Sequence, residues 1–286
     1  MAAASGELAG RTFIVTGGNT GIGRATGAGL ASRGGRVYLA CRSPDKGRAA
    51  VADIVAATGN DAVAFLPLDL ASLASVRQCA EQFLALGEPL HALINNAGVA
   101  GRRGVTADGF ELAFGVNHLG HFALTAALLG RLAASAPARV VTVASDAHYQ
   151  ATGVDFAAVR RRTASITGTP EYAVSKLCNV LFSAELARRT AGRGITTYAL
   201  HPGVVASDIW RRVPWPVRTL IKLRMLSPEQ GATASLYCAT SRPVAAASGR
   251  YYEDSREREP SNSATADLAR ALWEHSQAWV TPDPNP

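Results

Sequence analysis

Thr16-Gly-Gly-Asn-Thr-Gly-Ile-Gly23 stands between a short apolar run, Thr12 to Thr16, and a helical stretch, Gly21 to Arg33. Glycines carry no Cβ, so they allow a tight turn and let the backbone approach a ligand closely. The N-terminus of the helix that follows presents free N–H groups and the positive end of its dipole, which suit a pyrophosphate. A merely structural tight turn is the alternative. The position of the glycine pattern, after the first strand and before the first helix, favours a dinucleotide site.

Short apolar runs alternate with helical stretches along the chain. The runs are bounded by glycine or polar residues, which is typical of buried strands. Strands separated by helices pair in parallel through right-handed crossovers, so the sequence predicts an α/β fold: a single-domain, Rossmann-type doubly wound parallel sheet flanked by helices. The predicted strands are Thr12 to Thr16, Arg36 to Ala40, Ala62 to Pro67, Ala92 to Asn95, Arg139 to Ala144 and Thr196 to Leu200. The predicted helices are Gly21 to Arg33, Asp45 to Thr58, Ser72 to Leu86, Asp108 to Ser135 and Glu171 to Ala191, with Asp45 and Ser72 as N-caps and Gly59 and Gly87 at helix ends.

One domain is expected over residues 1–280, followed by a flexible, proline-containing tail over 281–286. Residues 208–227 follow the carboxyl end of a strand and are apolar with basic interruptions. A segment in that position is placed to cover a ligand crevice, so we predict a substrate lid there.

The composition disfavours several classes of protein. Hydrophobic residues make up 48% and charged residues 18%, so a sizeable core is available and global disorder is not expected. No run of about 18 uncharged apolar residues occurs, so no transmembrane span is expected. Residues 1–10 lack a signal pattern and the four cysteines include no CxxC pair, so we expect a cytoplasmic protein without a metal site. The net charge of +7 comes mainly from scattered arginines, which favours a solvated surface over nucleic-acid binding.

The end of the second strand bears on the choice of dinucleotide. An acid there would accept hydrogen bonds from the adenosine ribose and favour NAD(H). The chain has Ala40-Cys-Arg42 instead, and a guanidinium can bind a 2′-phosphate through two hydrogen bonds. NADP(H) is therefore predicted, with Lys46 or Arg24 in support. An arginine that only belongs to an exposed loop is the alternative.

Polar residues also end the third and fourth strands. Asp69, followed by Leu70, either accepts a hydrogen bond from the adenine amino group or caps the helix that begins near Ser72. The fourth strand ends in Asn95-Asn-Ala-Gly98. Asparagine side chains there can tie neighbouring strands together, and Gly98 lets a cofactor come close. A pure turn is the alternative.

Tyr172 and Lys176 stand one helical turn apart in Glu171-Tyr-Ala-Val-Ser-Lys176 and face the same side of a helix. A phenol has a pKa of about 10, and both an adjacent ammonium and an oxidised nicotinamide favour the phenolate. Tyr172 is therefore predicted to be a general acid/base. A surface Tyr and Lys on an amphipathic helix is the alternative.

Two further polar residues are candidates for the reacting centre. Ser145 ends the fifth strand, where it could donate a hydrogen bond to a substrate oxygen. Asn117 is an unusual residue for an otherwise apolar helix. It either supports a proton relay through water to Lys176 or is a satisfied core amide.

This set of motifs resembles the short-chain dehydrogenase/reductase family over roughly residues 10 to 278. The resemblance is carried by Thr16-Gly-x3-Gly-x-Gly23, Asn95-Asn-Ala-Gly98, Asn117, Ser145, Tyr172-x3-Lys176 and Pro202-Gly203. Finer features are similar to the retinol dehydrogenase-like branch, which prefers NADP(H). They are Val37-Tyr-Leu-Ala-Cys-Arg42, Gly115-Val-Asn-His-Leu-Gly-His-Phe122 and Gly249-Arg-Tyr-Tyr252 with Pro260-Ser261.

The resemblance implies a catalytic tetrad of Asn117, Ser145, Tyr172 and Lys176. Together with the residue arguments, it places the cofactor on Gly17, Asn19, Thr20, Gly21, Ile22, Gly23, Arg42, Asp69, Leu70, Asn96, Ala97, Gly98, Tyr172, Lys176, Pro202, Gly203, Val205 and Ser207. Two departures occur. The fifth strand ends Val143-Ala-Ser145 where relatives often have paired serines, and Ser207 stands where many relatives have a threonine.

The expected substrate is a hydrophobic carbonyl compound or alcohol. Its predicted pocket walls are Ser145, His148, Tyr149 and Trp210, with ordinary packing as the alternative for Trp210. Basic residues in 208–227 also make peripheral contact with an anionic membrane conceivable. Helices Asp108 to Ser135 and Glu171 to Ala191 could pair between subunits of a homo-oligomer. The alternative function is a catalytically idle, NADP-sensing or scaffolding protein on the same fold.

Overall fold

The computed structural model describes residues 6–204 and 226–281. Predictions for Val205, Ser207 and Trp210, for most of the 208–227 segment and for the tail 282–286 lie outside these residues. The strands are β1 Thr12–Thr16, β2 Arg36–Cys41, β3 Val63–Pro67, β4 Ala92–Asn95, β5 Ala138–Val143, β6 Ile195–His201, β7 Arg250–Glu253 and β8 Arg256–Arg258. The helices are α1 Gly21–Ala31, α2 Pro44–Thr58, α3 Leu73–Ala85, α4 Leu112–Ala134, α5 Thr169–Arg189, α6 Pro228–Thr240 and α7 Ala266–Val280.

The sheet confirms the predicted fold class. Its strand order is β3-β2-β1-β4-β5-β6-β7-β8. Neighbouring strands run parallel, except that β8 is antiparallel to β7. The order reverses between β1 and β4, and in open α/β sheets ligands bind beyond the carboxyl ends of the strands at such a switch point. The fold therefore directs attention to the residues that follow β1 and β4.

Helices cover both faces of the sheet, so adjacent residues of one strand enter different cores. Ile14 packs with Phe83 and Phe122 on the side of α3 and α4. Phe13 and Val15 pack on the side of α1, α2 and α6. This two-sided burial explains why the strands are continuous apolar runs and do not alternate between apolar and polar residues.

The hairpin of β7 and β8 is absent from the sequence predictions. Asp254 and Ser255 join its strands with φ values of 48° and 59°. Two consecutive positive φ angles are the signature of a tight hairpin turn. The signal was weak because β7 has only four residues and β8, Arg-Glu-Arg, is charged and exposed. Charge on an edge strand discourages pairing with another chain.

Three predicted helix starts are wrong, that of α5 because the helix begins at Thr169 and not at Glu171. The N-cap of α2 is Ser43, with Pro44 opening the helix, and Asp45 lies in the first turn. Helix α4 begins at Leu112, and its N-cap is Glu111, whose carboxylate accepts from Phe114 N. Asp108 lies before this helix, where its carboxylate accepts a hydrogen bond from Leu73 N at 2.8 Å. It thus stabilises the start of α3 and does not belong to α4.

Helix α4 is the core helix beside the switch point. It is the one described helix that is long and apolar enough to span a bilayer, but 78% of its most apolar window is buried inside the fold. Burial of this kind is what the core helix of a globular domain shows. Residues Gly115–Leu119 form a π-helical turn within it. Such turns are rare and frequently lie at functional sites.

Helix α7 packs over the outer side of α4 and α5. The Trp273 ring stacks on Phe182 of α5, with ring centres 6.0 Å apart, and meets Phe122 of α4 edge-on at 4.8 Å. Trp273 of α7 therefore covers part of α4 and of α5, the two helices that could pair between subunits.

Candidate active site

The glycine turn after β1 is too tight for a side chain at Gly17 or Gly23. Gly17 has φ +66°, and its N–H donates to Ala40 O at 2.7 Å. A Cβ on Gly17 would lie 3.1 Å from the Cα of Ala97. A Cβ on Gly23 would lie 2.4 Å from Gly17 O. The turn therefore lies directly against the end of β4 and the start of α1.

The start of α1 is open toward the carboxyl edge of the sheet. Gly21 has φ +53°, and a Cβ there would meet nothing within 4 Å. Thr20 is the N-cap, but its side chain makes no capping bond, and the first turn holds no acidic residue. Thr20 is exposed, while Asn19 and Ile22 are half-buried. Uncapped N–H groups next to open space fit the pyrophosphate of a dinucleotide, so the predicted cofactor suits this turn.

The asparagines after β4 fasten two strand ends together, as predicted. Asn96 Nδ2 donates to Thr16 O at 2.8 Å. The backbone N–H groups of Asn96 and Ala97 both donate to Thr16 Oγ1 at 2.9 Å. The Asn95 side chain is buried and donates to Thr125 Oγ1 of α4 at 3.1 Å. These bonds hold the ends of β1 and β4 in register beside the glycine turn.

Gly98 brings the β4 end next to the predicted reacting groups. A Cβ on Gly98 would lie 3.3 Å from Asn117 Oδ1 and 3.7 Å from Lys176 Nζ. The absence of a side chain therefore leaves space between the turn and these two groups. Glycine at this position is consistent with close approach of a ligand.

Arg42 is exposed directly after β2, with no carboxylate at the strand end. Arg24, predicted to assist it, instead pairs with Asp53 at 2.9 Å on the surface. Lys46 is exposed on α2. Arg42 is thus left exposed at the strand end, while Arg24 is already paired with Asp53.

Asp69 does not cap α3. Its Oδ1 accepts from Ala71 N at 3.0 Å, while the side chain of Ser72 accepts from Ser75 N as the N-cap of the helix. The capping alternative for Asp69 is wrong, and the adenine interpretation stays a prediction. The Leu70 side chain is buried among α3 and α4 core residues, so any contact of Leu70 with a cofactor would come from its backbone.

Tyr172 and Lys176 lie together on α5 at the end of β5. Lys176 Nζ is 5.6 Å from the centre of the Tyr172 ring and donates to Val143 O at 2.8 Å. Lys176 is only 4% exposed. Burial lowers the pKa of Lys176 to about 7. A surface Tyr and Lys pair is therefore ruled out for this helix.

We expected an adjacent ammonium and an oxidised nicotinamide to favour the phenolate together, and the protein's own groups alone do not favour it. Burial raises the pKa of Tyr172 above its ordinary value, although the neighbouring Ser145 hydroxyl acts in the opposite direction. The negative charge of Asp146 raises it further. Lys176 does not offset this, because its amine is itself buried and is directed to a backbone carbonyl. Without a bound cation, Tyr172 is a neutral phenol and hence a proton donor.

Ser145 lies beside Tyr172, and its hydroxyl is hydrogen-bonded to the carboxylate of Asp146. Ser145 Oγ donates to Asp146 Oδ1 at 2.9 Å and accepts from Ala147 N at 3.2 Å. The Asp146 N–H in turn donates to His201 Nδ1 at 3.3 Å. Sequence reasoning missed Asp146, and its signal was an acid directly after the strand-end serine.

His148 is not a pocket wall, contrary to the prediction. It is fully buried, with Nδ1 2.6 Å from Ser145 O and Nε2 accepting from Ser261 N at 3.1 Å. The first contact requires a proton on Nδ1, and the second requires a lone pair on Nε2. Neutral His148 thus ties the end of β5 to the chain after β8. Its neighbour Tyr149 is 48% exposed and donates to Glu259 O at 2.6 Å.

The Asn117 side chain is a satisfied core amide. It lies in the π-helical turn, fully buried, and its Oδ1 accepts from Val99 N at 2.8 Å. Its Nδ2 donates to Val99 O at 3.0 Å and to Ser175 Oγ at 2.9 Å. Ser175 donates to Tyr172 O at 2.7 Å. Asn117 therefore joins the β4 end to the helix of Tyr172, and the water relay stays a prediction.

Pro202 and Gly203 follow β6, at the same edge of the sheet. Gly203 has φ +81°, and a Cβ there would lie 2.4 Å from Leu226 Cδ1. Leu226 N donates to Val204 O at 2.9 Å. The two ends of the undescribed segment 205–225 thus meet beside the strand ends that carry the site.

Comparisons with known proteins agree with this arrangement. The family model for short chain dehydrogenases matches residues 11–215. Retinol dehydrogenase 11 of Mus musculus is 44% identical over 277 residues, covering 94% of this chain and 86% of the relative. Retinol dehydrogenase 12 of Homo sapiens is 45% identical over 278 residues, covering 93% and 85%.

Solved structures show the same likeness. A crystal structure of a protein from Mycobacterium paratuberculosis has a TM-score of 0.77 and 32% identity, covering 98% of this chain and 97% of that one. The NADP active-site complex of Pseudomonas aeruginosa RhlG has a TM-score of 0.70 and 27% identity, covering 88% and 97%. The chain therefore belongs to the short-chain dehydrogenase/reductase family, in its retinol dehydrogenase-like branch, and is an oxidoreductase of alcohols and carbonyl compounds.

Proposed function

We propose that the protein is an NADP(H)-dependent oxidoreductase that interconverts a carbonyl group and an alcohol on a hydrophobic substrate, with Tyr172 as the general acid/base. The observation that carries the proposal is the position of Tyr172 and Lys176 on one turn of α5, at the end of β5, beside Ser145. A Cβ on Gly98 would lie 3.7 Å from Lys176 Nζ, so glycine at this position leaves space beside the pair.

The cofactor-binding residues would be those around the glycine turn. The uncapped start of α1 would bind the pyrophosphate, and the exposed Arg42 would bind a 2′-phosphate through charge-assisted hydrogen bonds. A bound nicotinamide supplies or accepts the hydride. The absence of a carboxylate at the β2 end favours NADP(H) over NAD(H). The NADP complex of RhlG, which is similar in fold, supports the same preference.

Tyr172 would give a proton to the substrate oxygen in reduction and take it back in oxidation. A neutral phenol with a raised pKa is in the correct protonation state to donate. A partly charged Lys176, held by Val143 O, would keep positive charge near the phenol without forming an ion pair with it.

Ser145 would orient the substrate oxygen. Its hydroxyl has a single proton, which it donates to Asp146 Oδ1. To donate to a substrate instead, the hydroxyl must rotate away from Asp146. Asn117 would act by position, since its side chain holds the β4 end and α5 together.

The hydrophobic substrate class is inferred from the sequence and from the relatives. The lid predicted over 208–227 is apolar in sequence, and relatives in this branch include proteins named retinol dehydrogenases. His148 is not among the proposed pocket residues, because its side chain is fully buried. A cytoplasmic location is part of the proposal, supported by four free cysteines, all buried. Peripheral membrane contact and a homo-oligomer are also proposals.

The test combines a cofactor titration with a substrate screen. NADPH and NADH are titrated by fluorescence, and oxidation of NADPH is followed with retinoid, steroid, aliphatic and aromatic carbonyls. We expect tighter binding of NADPH and turnover of apolar carbonyls. Binding of NADPH without turnover across the panel would favour a sensor or scaffold, and preference for NADH would contradict the role of Arg42.

A further inference from the structure

His121 is a second buried histidine near the site, and the reaction above gives it no role. It lies in α4, two residues after the π-helical turn, and is 1% exposed. Its Nε2 is 2.8 Å from Thr16 Oγ1, at the end of β1. Its Nδ1 is 2.9 Å from Asn117 O. The ring therefore spans the distance between the cofactor turn and the residue that anchors α5.

The direction of each hydrogen bond is determined by the partners. A backbone carbonyl only accepts, so Nδ1 carries a proton toward Asn117 O. Burial lowers the pKa of His121 to about 4, so the ring is neutral and Nε2 has a lone pair. Thr16 therefore donates its hydroxyl proton to Nε2. Its other acceptor, Ile94 O, is farther away at 3.4 Å.

With its proton committed to His121, the Thr16 oxygen is left with two lone pairs. These accept the N–H groups of Asn96 and Ala97, both at 2.9 Å. The hydroxyl is thus the centre of the contact between the β1 turn and the β4 end. Its orientation depends on a lone pair at His121 Nε2, because a rotated hydroxyl would direct its proton at the two donors.

From His121 the hydrogen bonds continue to the catalytic helix. Asn117 accepts from His121 through its carbonyl and donates to Ser175 through its amide. Ser175 donates to Tyr172 O at 2.7 Å. One uninterrupted series of buried hydrogen bonds therefore runs from the glycine turn to the backbone of the proposed acid. Fully satisfied networks of this kind rigidify a site.

We propose that His121 is a positioning residue that sets the cofactor-binding turn in register with Asn117 and the Tyr172 helix. It acts through Thr16 and Asn117 and does not itself reach the reacting atoms. The inference rests on the proposed function for its effect on a nicotinamide cofactor. The effect of His121 on the packing of residues 96–99 does not depend on the cofactor or on the proposed function.

The test is a set of three substitutions at His121. His121→Phe keeps a planar ring but removes both hydrogen bonds. His121→Asn retains a donor for Asn117 O only, and His121→Gln retains an acceptor for the Thr16 hydroxyl only. The matched control is His118→Phe, because His118 is equally buried in the same helix but bonds to Ser276 of α7.

Two readouts are used: amide hydrogen exchange of residues 96–99 in the cofactor-free protein, and the NADPH dissociation constant. We expect His121→Phe and His121→Asn to accelerate exchange at Asn96 and Ala97 and to weaken NADPH binding about tenfold, because the Thr16 hydroxyl loses its acceptor. His121→Gln should restore much of both values. His118→Phe should leave both within about twofold of the wild type.

Wild-type exchange and wild-type NADPH affinity in His121→Phe would overturn the proposal, as would equal effects of His118→Phe. If His121→Phe does not fold, Thr16→Val breaks the same hydrogen bond by removing the hydroxyl that donates to His121. It should give the same two changes. If the wild-type protein binds no NADP(H), the proposed function fails. The exchange data then still decide whether His121 sets the register.

Discussion

Lys176 places its Nζ 5.6 Å from the centre of the Tyr172 ring, yet its hydrogen bond goes to the carbonyl oxygen of Val143 at 2.8 Å. The amine therefore lies beneath the phenol without being paired to it. This geometry is consistent with a pKa of Tyr172 that is set by burial, Ser145 and Asp146 and not by the amine. We therefore expect substitutions of Tyr172 and of Lys176 to have different effects.

Tyr172→Phe should lower kcat by about 10²–10⁴-fold, or more, because it removes the proton donor. The ring and its contact with Lys176 remain, so the NADPH dissociation constant should stay within about twofold of the wild type. Steady-state kinetics on a turned-over carbonyl and a fluorescence titration measure the two effects. Near-normal kcat in this variant would assign the acid to another group.

Lys176 should make stability depend on pH. Burial lowers its pKa to about 7, whereas a lysine in the unfolded chain titrates at about 10.4. Between these values the unfolded state binds more protons, so the free energy of unfolding should increase as pH rises. The slope from this group approaches about 1.4 kcal/mol for each pH unit within the window.

The measurement compares the wild type with Lys176→Met by chemical denaturation from about pH 7 to about pH 9.5. The wild type should gain stability relative to the variant as pH rises, since other titrating groups cancel in the difference. Lys46→Met, which removes an exposed lysine on α2, is the control. A difference that does not change with pH would mean that Lys176 is not buried as described.

Gly23→Ala should disrupt the cofactor turn. The added Cβ would lie 2.4 Å from Gly17 O and 2.5 Å from Asn96 Nδ2, so backbone must move. We expect a loss of about 1–3 kcal/mol in the free energy of unfolding and weaker NADPH binding. Denaturation and titration report the two losses.

Gly130→Ala is the matched control, because Gly130 is an exposed glycine in the helix α4 and a Cβ there would meet nothing within 4 Å. It should stabilise the protein by about 0.5–1 kcal/mol, since alanine favours a helix more than glycine does. Equal behaviour of the two variants would contradict the close contact around Gly23.

Arg42→Ala should weaken NADPH binding by about 10- to 100-fold, the effect of losing charge-assisted hydrogen bonds to a 2′-phosphate. NADH lacks that phosphate, so its affinity should change little. Arg36 opens the same strand at its opposite end, is exposed and pairs with Glu88 at 3.5 Å. Arg36→Ala should leave both affinities unchanged. Equal losses for NADPH and NADH in Arg42→Ala would remove the basis for NADP(H) preference.

Much of the fold could be predicted from local sequence. The six predicted strands, β1 to β6, are short apolar runs whose residues enter the two cores on opposite faces, as Phe13 and Ile14 do. Such runs are visible without the structure because burial on both faces requires them. The β7–β8 hairpin could not be found in this way. Its second strand is charged and exposed, so only its pairing with β7 in the folded sheet identifies it.

The features of the candidate site also fall into two groups, those that the sequence predicts and those that only the structure shows. The glycine turn, the Tyr172–Lys176 spacing and Arg42 at a strand end are properties of the amino-acid sequence alone, because each depends on residue type and local periodicity. Only the tertiary structure decided that Tyr172 has a raised pKa, that Ser145 donates to Asp146 and that His148 and His121 are buried ties between segments. Burial and long-range hydrogen bonds determine those properties. They arise when residues as far apart as Thr16 and His121 are brought within 2.8 Å by the fold.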